Sequence, residues 1–187
     1  MPKQAALTEL QNNFIKQKFG ESFVGQDPAT VLSLYKNQNK EVEFLSDIVS
    51  FPFPNIVQYV TSSYVFINGT AHGVSGINIG IYSITDGKKI ELGSLFLKDW
   101  EKNIVKLIIK EFLLSQNLQV LGDYNYTQKE SDFMPERARI SESGLEFVFP
   151  PYQVAPYAAG EQSVFLSWNI LKPYLNKKSL IYQKLKF

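Results

Sequence analysis

Two spacings of apolar residues alternate along this chain of 187 residues. Over residues 4–19, Leu7, Leu10, Phe14 and Ile15 recur at helical intervals, and Gly20 supplies a C-terminal stop. Asp27-Pro28 is a helix start, an N-cap carboxylate followed by proline at the first position. Val31, Leu32, Leu34 and Tyr35 form the apolar side of that second helix, which ends in the polar cluster Asn37-Gln38-Asn39-Lys40. The spacing then shortens to that of strands. Val42 to Phe51 and Asn55 to Ile67 read as long strands joined by a turn bracketed by Pro52 and Pro54. Ile77 to Ile84 and Lys88 to Leu92 flank Asp86-Gly87, a hairpin signal because both turn positions tolerate positive φ. These four runs predict an antiparallel meander.

Helical spacing returns over residues 98–116, where Trp100, Ile104, Leu107, Ile108 and Phe112 make one stripe, with Lys102, Lys106 and Lys110 away from it. That helix is expected flat against the sheet. Residues 117–137 are polar, carry tyrosines and show no clear period, so they read as a long loop. Arg139 to Ser141 opens a last β unit, with a turn at Glu142-Ser143-Gly144. Leu145, Phe147 and Phe149 then alternate with Glu146 and Val148 until Pro150 and Pro151 remove two backbone donors and end the pairing. Tyr152 to Gly160 is irregular but apolar, and is expected to pack on the body before the strand Ser163–Trp168. Asn169 is expected to cap a short helix over Ile170 to Leu175, and the tail with lysines at 177, 178, 184 and 186 to fray or pair at an edge. The predicted class is α+β, an antiparallel β-sheet with helices packed on one face in a single compact unit.

Composition adds limits. Hydrophobic content of 44% with 14% aromatic residues describes a folded chain with a sizeable core. Nineteen basic and eighteen acidic residues leave a net charge of +1 without a basic run, which gives no footprint for nucleic acid. No apolar run reaches membrane-spanning length and no signal peptide is visible at Met1-Pro2-Lys3. The absence of cysteine excludes disulfides, thiolate metal sites and a cysteine nucleophile.

Candidate chemistry is sparse. His72 lies in a glycine-rich bend and has the chemistry of a base or a ligand contact. The residues favour a hydrogen-bonding imidazole in a tight bulge, because no partner for a base is adjacent. One histidine and no cysteine make a poor metal site, and no EF-hand spacing exists. Gly73-Val74-Ser75-Gly76 lacks the glycine spacing of a nucleophile elbow, and no phosphate-cradling glycine loop is present. Glu130, Asp132, Glu136 and Glu146 are acidic candidates for glycan chemistry, but a glycosidase needs two carboxylates at a set separation and in unequal environments. Asn68-Gly69-Thr70 and Asn125-Tyr126-Thr127 fit glycosylation sequons, which matter only in a eukaryotic secretory pathway. Aromatic residues are the remaining signal: Tyr124, Tyr126, Phe133, Tyr152, Tyr157 and Trp168 gather in the C-terminal half. Tyr152 and Tyr157 are either core positions around the proline-rich crossing or partner contacts.

Three segments carry a family resemblance. Gly144 to Gly160 resembles the signature of the C-terminal domain of RsiV-like proteins, built around Phe147, Phe149, Pro151-Tyr152, Val154-Ala155-Pro156-Tyr157-Ala158 and Gly160. Gly69-Thr70-Ala71-His72-Gly73 and Thr85 to Phe96 are similar to two further segments of that family, in the same order. RsiV is an anti-sigma factor whose extracytoplasmic part senses lysozyme. Residues 1–92 resemble the half shared with the peptidoglycan deacetylase PdaC, and residues 93–187 the RsiV C-terminal half. The resemblance implies an extracytoplasmic, non-enzymatic binding domain of a bacterial envelope protein, anchored by a membrane or lipid segment outside this sequence. It implies lysozyme or another protein as partner. The alternatives are a domain for binding peptidoglycan fragments or associated with hydrolysis or deacetylation, and a structural envelope lipoprotein. No catalytic residue, cofactor or metal ligand is assigned. The candidate partner contacts are His72, Tyr124, Tyr126, Tyr152 and Tyr157.

Overall fold

In a computed structural model, residues 4–36, 42–66, 69–123 and 126–185 are described. The class is α+β, as the alternating spacings require. The strands form two antiparallel sheets of three, β1-β2-β3 and β4-β5-β6, rather than one. The chain divides into two compact units, Met1–Ile90 and Glu91–Phe187.

In the first unit, helix α1 spans Gln4–Phe19 and α2 spans Pro28–Lys36. The start of α2 is capped as the sequence dictates: Asp27 Oδ2 accepts from the Thr30 backbone N–H at 3.0 Å. Strands β1 (Val42–Phe53), β2 (Ile56–Phe66) and β3 (Val74–Ser83) form a meander. The expected fourth strand is reduced to one bridge, Tyr82 to Lys89. The turn between them does form. The Ser83 N–H bonds the Lys88 carbonyl at 2.9 Å, and Gly87 takes φ 77°. A side chain on Gly87 would place Cβ 2.4 Å from the Ala6 carbonyl oxygen, so this turn needs glycine both for its φ and for the approach of α1. The polar cluster at 37–40, Ile67, Asn68 and Asn125 lie outside the described residues.

Helix α1 lies on this sheet through Phe14, which stacks on Tyr59 at 4.8 Å between centroids and meets Tyr82 edge-on at 5.2 Å. The tyrosine hydroxyls stay satisfied: Tyr82 donates to Gln17 Oε1 at 2.7 Å and Tyr59 donates to Asp47 Oδ1 at 2.8 Å. Lys18 also bonds Asp47. Strand β1 is an edge, and Ile48, Val49 and Phe51 on it are exposed.

In the second unit, helix α3 (Glu101–Ser115) follows a 3₁₀ turn at Leu92–Leu95. Trp100 is not part of its stripe. It stands at the N-cap, stacked on Phe96 at 4.6 Å. Ile104, Ile108 and Phe112 are the buried face, and Lys102, Lys106 and Lys110 are exposed. The second sheet has β4 (Arg137–Ile140), β5 (Gly144–Phe149) and β6 (Gln162–Ser167). Ala138, Ile140, Leu145, Phe147, Phe149, Val164 and Leu166 share one buried face by alternation, Val148 on the other face is buried as well, and α3 packs against β6. The final helix α4 (Trp168–Leu171) starts earlier than expected, with Ser167 rather than Asn169 at its N-cap. Trp168 sets that start: its backbone N–H bonds the Ser143 carbonyl at 3.1 Å and its indole bonds the Ser141 carbonyl at 3.0 Å. The tail is pinned rather than frayed, because Leu175 bridges Phe96 and Ile181 is 1% exposed.

Gly144 permits the closest strand approach, since a Cβ there would lie 2.3 Å from the Leu166 carbonyl oxygen. We expect Gly144→Ala to lower the unfolding free energy by about 1–3 kcal/mol, the usual cost of overpacking. Urea titration followed by tryptophan fluorescence measures it, and an unchanged midpoint would contradict this packing.

Candidate functional site

The link between β5 and β6 carries the clearest surface feature of the second unit. After Phe149, Pro150 and Pro151 cannot extend the ladder, and the chain folds into a tight turn. The Gln153 N–H bonds the Pro150 carbonyl at 3.1 Å and the Tyr152 N–H bonds the Ala155 carbonyl at 3.0 Å. Tyr152 takes φ 73°, a left-handed conformation uncommon for a bulky side chain. Its ring is thrown outward and is 65% exposed. The link then makes a 3₁₀ turn at Tyr157–Ala159 and closes at Gly160. This turn brings the Tyr157 ring to 5.4 Å from that of Tyr152, tilted by 33°.

The link is apolar, but only part of it packs inward. Val154 is fully buried and Ala155 nearly so, while Tyr152 is outside. Two clamps hold it. At one end, Gln153 Nε2 donates to the carbonyls of Asp132 at 2.9 Å and Met134 at 3.2 Å, and the Thr127 N–H bonds the Val154 carbonyl at 2.9 Å. At the other, Glu161 accepts from Arg139 Nη2 at 2.8 Å, and Arg139 Nη1 reaches Glu146 at 3.0 Å. Partial burial by itself pulls the Arg139 pKa down, but hydrogen bonds to Glu161 and Glu146 outweigh it and hold the guanidinium above its ordinary value. The two tyrosines are thus presented on a loop fixed on both sides.

Residues 93–169 match the family described as "Protein of unknown function (DUF3298)". The tyrosine-bearing link falls inside that DUF3298 match. Two solved structures are similar in fold. A DUF3298-family member from Bacteroides fragilis superposes with a TM-score of 0.85 at 19% identity, covering 98% of this chain and 83% of its own. A DUF3298-family protein from Pseudomonas aeruginosa gives a TM-score of 0.64 at 18% identity, covering 90% of this chain and 80% of its own. No curated protein matches the sequence.

The remaining candidates are placed elsewhere. Tyr126 packs its ring edge-on against Phe112 at 5.2 Å and directs its hydroxyl to Gln116 Oε1 at 3.3 Å. Tyr124 lies outside the described residues. His72 belongs to the first unit, exposed in the bend between β2 and β3, with Nδ1 2.9 Å from the Gly73 carbonyl oxygen. The bend is tight because a Cβ on Gly73 would enter the Tyr64 ring, 2.4 Å from its Cζ. Ser75 sits inside β3 opposite Tyr64, not on a strand-to-helix turn. Three of the four acidic candidates are tied locally: Asp132 accepts from Thr127, Glu136 lies 3.9 Å from Arg137, and Glu146 accepts from Arg139 and from Ser163, while Glu130 is exposed at the start of a 3₁₀ turn. Among the described residues no three of His, Cys, Asp and Glu group as a metal site, and no helix is long and apolar enough to cross a membrane. The Arg139 clamp was not singled out in the sequence. Its signal was there, because Arg139 and Glu146 are polar positions on neighbouring strands whose alternation points them away from the core.

The left-handed turn can be tested by stability alone. Glycine adopts that φ without penalty, whereas an L side chain there costs about 1–2 kcal/mol and a β-branched one more. Tyr152→Gly should therefore melt near the parent temperature, with the lost ring contact, worth roughly 0.5–1.5 kcal/mol, offsetting the relieved strain. Tyr152→Val should be less stable than Tyr152→Gly by about 2 kcal/mol. Differential scanning calorimetry ranks the two, and the reverse order would refute a positive φ at this residue.

Proposed function

We propose that this chain is an extracytoplasmic, non-enzymatic binding domain of a bacterial envelope protein, and that it contacts a protein partner through Tyr152 and Tyr157. The observation that carries the reading is a strained turn spent on display: Tyr152 is held at φ 73° with its ring 65% exposed beside Tyr157. Backbone strain of this kind persists where surrounding contacts over-determine it, and it gathers at functional positions. Tyrosine suits such a place, since it offers a large rigid contact area with one polar tip and little rotamer entropy to lose. Clamping by Gln153 and Glu161 keeps the surface preorganised, which reduces the ordering cost of association. Lysozyme is the partner that the likeness to RsiV suggests. A second reading is favoured by the ring pair itself: two tilted aromatic faces with hydroxyl edges also fit stacked sugar rings of peptidoglycan fragments.

Isothermal titration with hen lysozyme and, separately, with muropeptides decides between partner classes. Saturable binding without turnover is expected. Tyr152→Asn keeps a residue that tolerates the left-handed turn and removes the ring, so it should weaken binding at least about tenfold, as an aromatic hot spot does. Equal affinity for parent and variant would remove the tyrosines from the interface. Turnover of a wall substrate that His72→Ala abolishes would overturn the non-enzymatic reading.

A further inference from the structure

We propose that the Pro151–Tyr152 peptide is a two-state switch that sets how the tyrosine pair is presented, an inference that rests on the reading of Tyr152 and Tyr157 as a contact surface. The turn is defined by three observations. The Gln153 N–H bonds the Pro150 carbonyl at 3.1 Å, closing the turn from its first residue to its fourth. The ring of Pro151 fixes the second residue at a φ of about −65°. Tyr152, the third, takes φ 73°. A negative φ followed by a positive one makes a type II turn, which calls for glycine or asparagine where tyrosine stands.

Type II and type I turns differ by reversal of the central peptide. Rotating the Pro151–Tyr152 peptide by roughly half a revolution brings Tyr152 to an ordinary negative φ, and the bond from Gln153 to Pro150 survives because both turn types close with it. The anchors on either side need not move. Gln153 Nε2 keeps the Asp132 and Met134 carbonyls, the Val154 carbonyl keeps the Thr127 N–H, and Val154 stays buried. The Tyr152 N–H does move: it donates to the Ala155 carbonyl at 3.0 Å, and reversal turns it to the opposite side. The Cα–Cβ bond of Tyr152 tilts with the flip and changes the seat of its ring against Tyr157, 5.4 Å away. Relief of left-handed strain and loss of a backbone bond are of the same order, and the ring contact adds to the side of the displayed turn. The displayed turn is therefore the major state and the flipped turn a minor one, at about 0.1–10%. A partner that touches both rings selects the displayed turn, so binding and the turn are linked.

Amide hydrogen exchange, followed by NMR on the 187-residue chain, tests the switch without any partner. The flip frees the Tyr152 N–H and spares that of Gln153. Protection at Tyr152 should be about 10–1,000, the inverse of the minor population, and lower than at Gln153. Tyr152→Asn and Tyr152→Ala both remove the ring and differ in tolerance of a positive φ. Protection at residue 152 should be at least about fivefold higher in the asparagine variant. Equal protection at residues 152 and 153 in the parent marks opening of the whole link and overturns the switch, and that comparison needs no variant to fold. Equal protection at residue 152 in the two folded variants overturns it as well. Hen lysozyme or a muropeptide, where it binds, should raise protection at Tyr152 further, and binding that leaves it unchanged overturns the link between turn and partner. Absence of binding refutes the contact surface and leaves the exchange result to stand on its own.

Discussion

Phe133 sits between Phe112 of α3, at 5.0 Å, and Phe149 of β5, at 5.8 Å, and the second unit depends on this contact. It is fully buried although it comes from a single 3₁₀ turn, Glu130–Phe133. Fixing it also fixes the carbonyls of its neighbours Asp132 and Met134, which receive Gln153. The residue before Gln153 is the strained Tyr152. A helix, a strand, a 3₁₀ turn and the exposed turn are thus joined through one ring. Burying a phenylalanine contributes about 1.5–3 kcal/mol. The left-handed turn costs about 1–2 kcal/mol. With Val154 buried beside it, anchoring outweighs strain, and the turn holds its conformation before any partner arrives.

The electrostatics of the unit follow a similar division. Arg139 and Glu146 face each other across β4 and β5, and Glu161 joins them at the end of the β5–β6 link. All three are partly exposed, so their contribution to stability is modest, and their effect is mainly to set where the link re-enters the sheet.

Much of the fold could be read from spacing alone. The helix over Gln4–Phe19, the Asp27 cap, the strands β1 to β3 and the proline stop after Phe149 all follow from local rules, and the structure places them within a few residues. The number of sheets could not be read, because alternation says which face of a strand is buried and not which strands pair. The expected fourth strand shows the limit: Lys89 makes a single bridge, and the chain turns into a 3₁₀ segment at Leu92–Leu95. The loop over residues 117–137 had no period because Leu118 and Phe133 bury themselves singly rather than in a repeating face. For the candidate site, two tyrosines in a proline-fixed link were legible as a cluster. Their exposure was not, since it depends on a φ sign at Tyr152 that no side-chain pattern encodes. Tyr126 shows the converse, an aromatic from the same cluster that rests against Phe112.

Every ladder in both sheets joins strands that follow one another in sequence. Low sequence separation between contacting residues shortens the search for native pairings and keeps loop-closure entropy small. Each unit can therefore assemble as its own segment of chain emerges, without waiting for a distant strand to be synthesised. A polypeptide organised in this way closes each sheet soon after its strands are made, with little time for half-made sheets to meet one another.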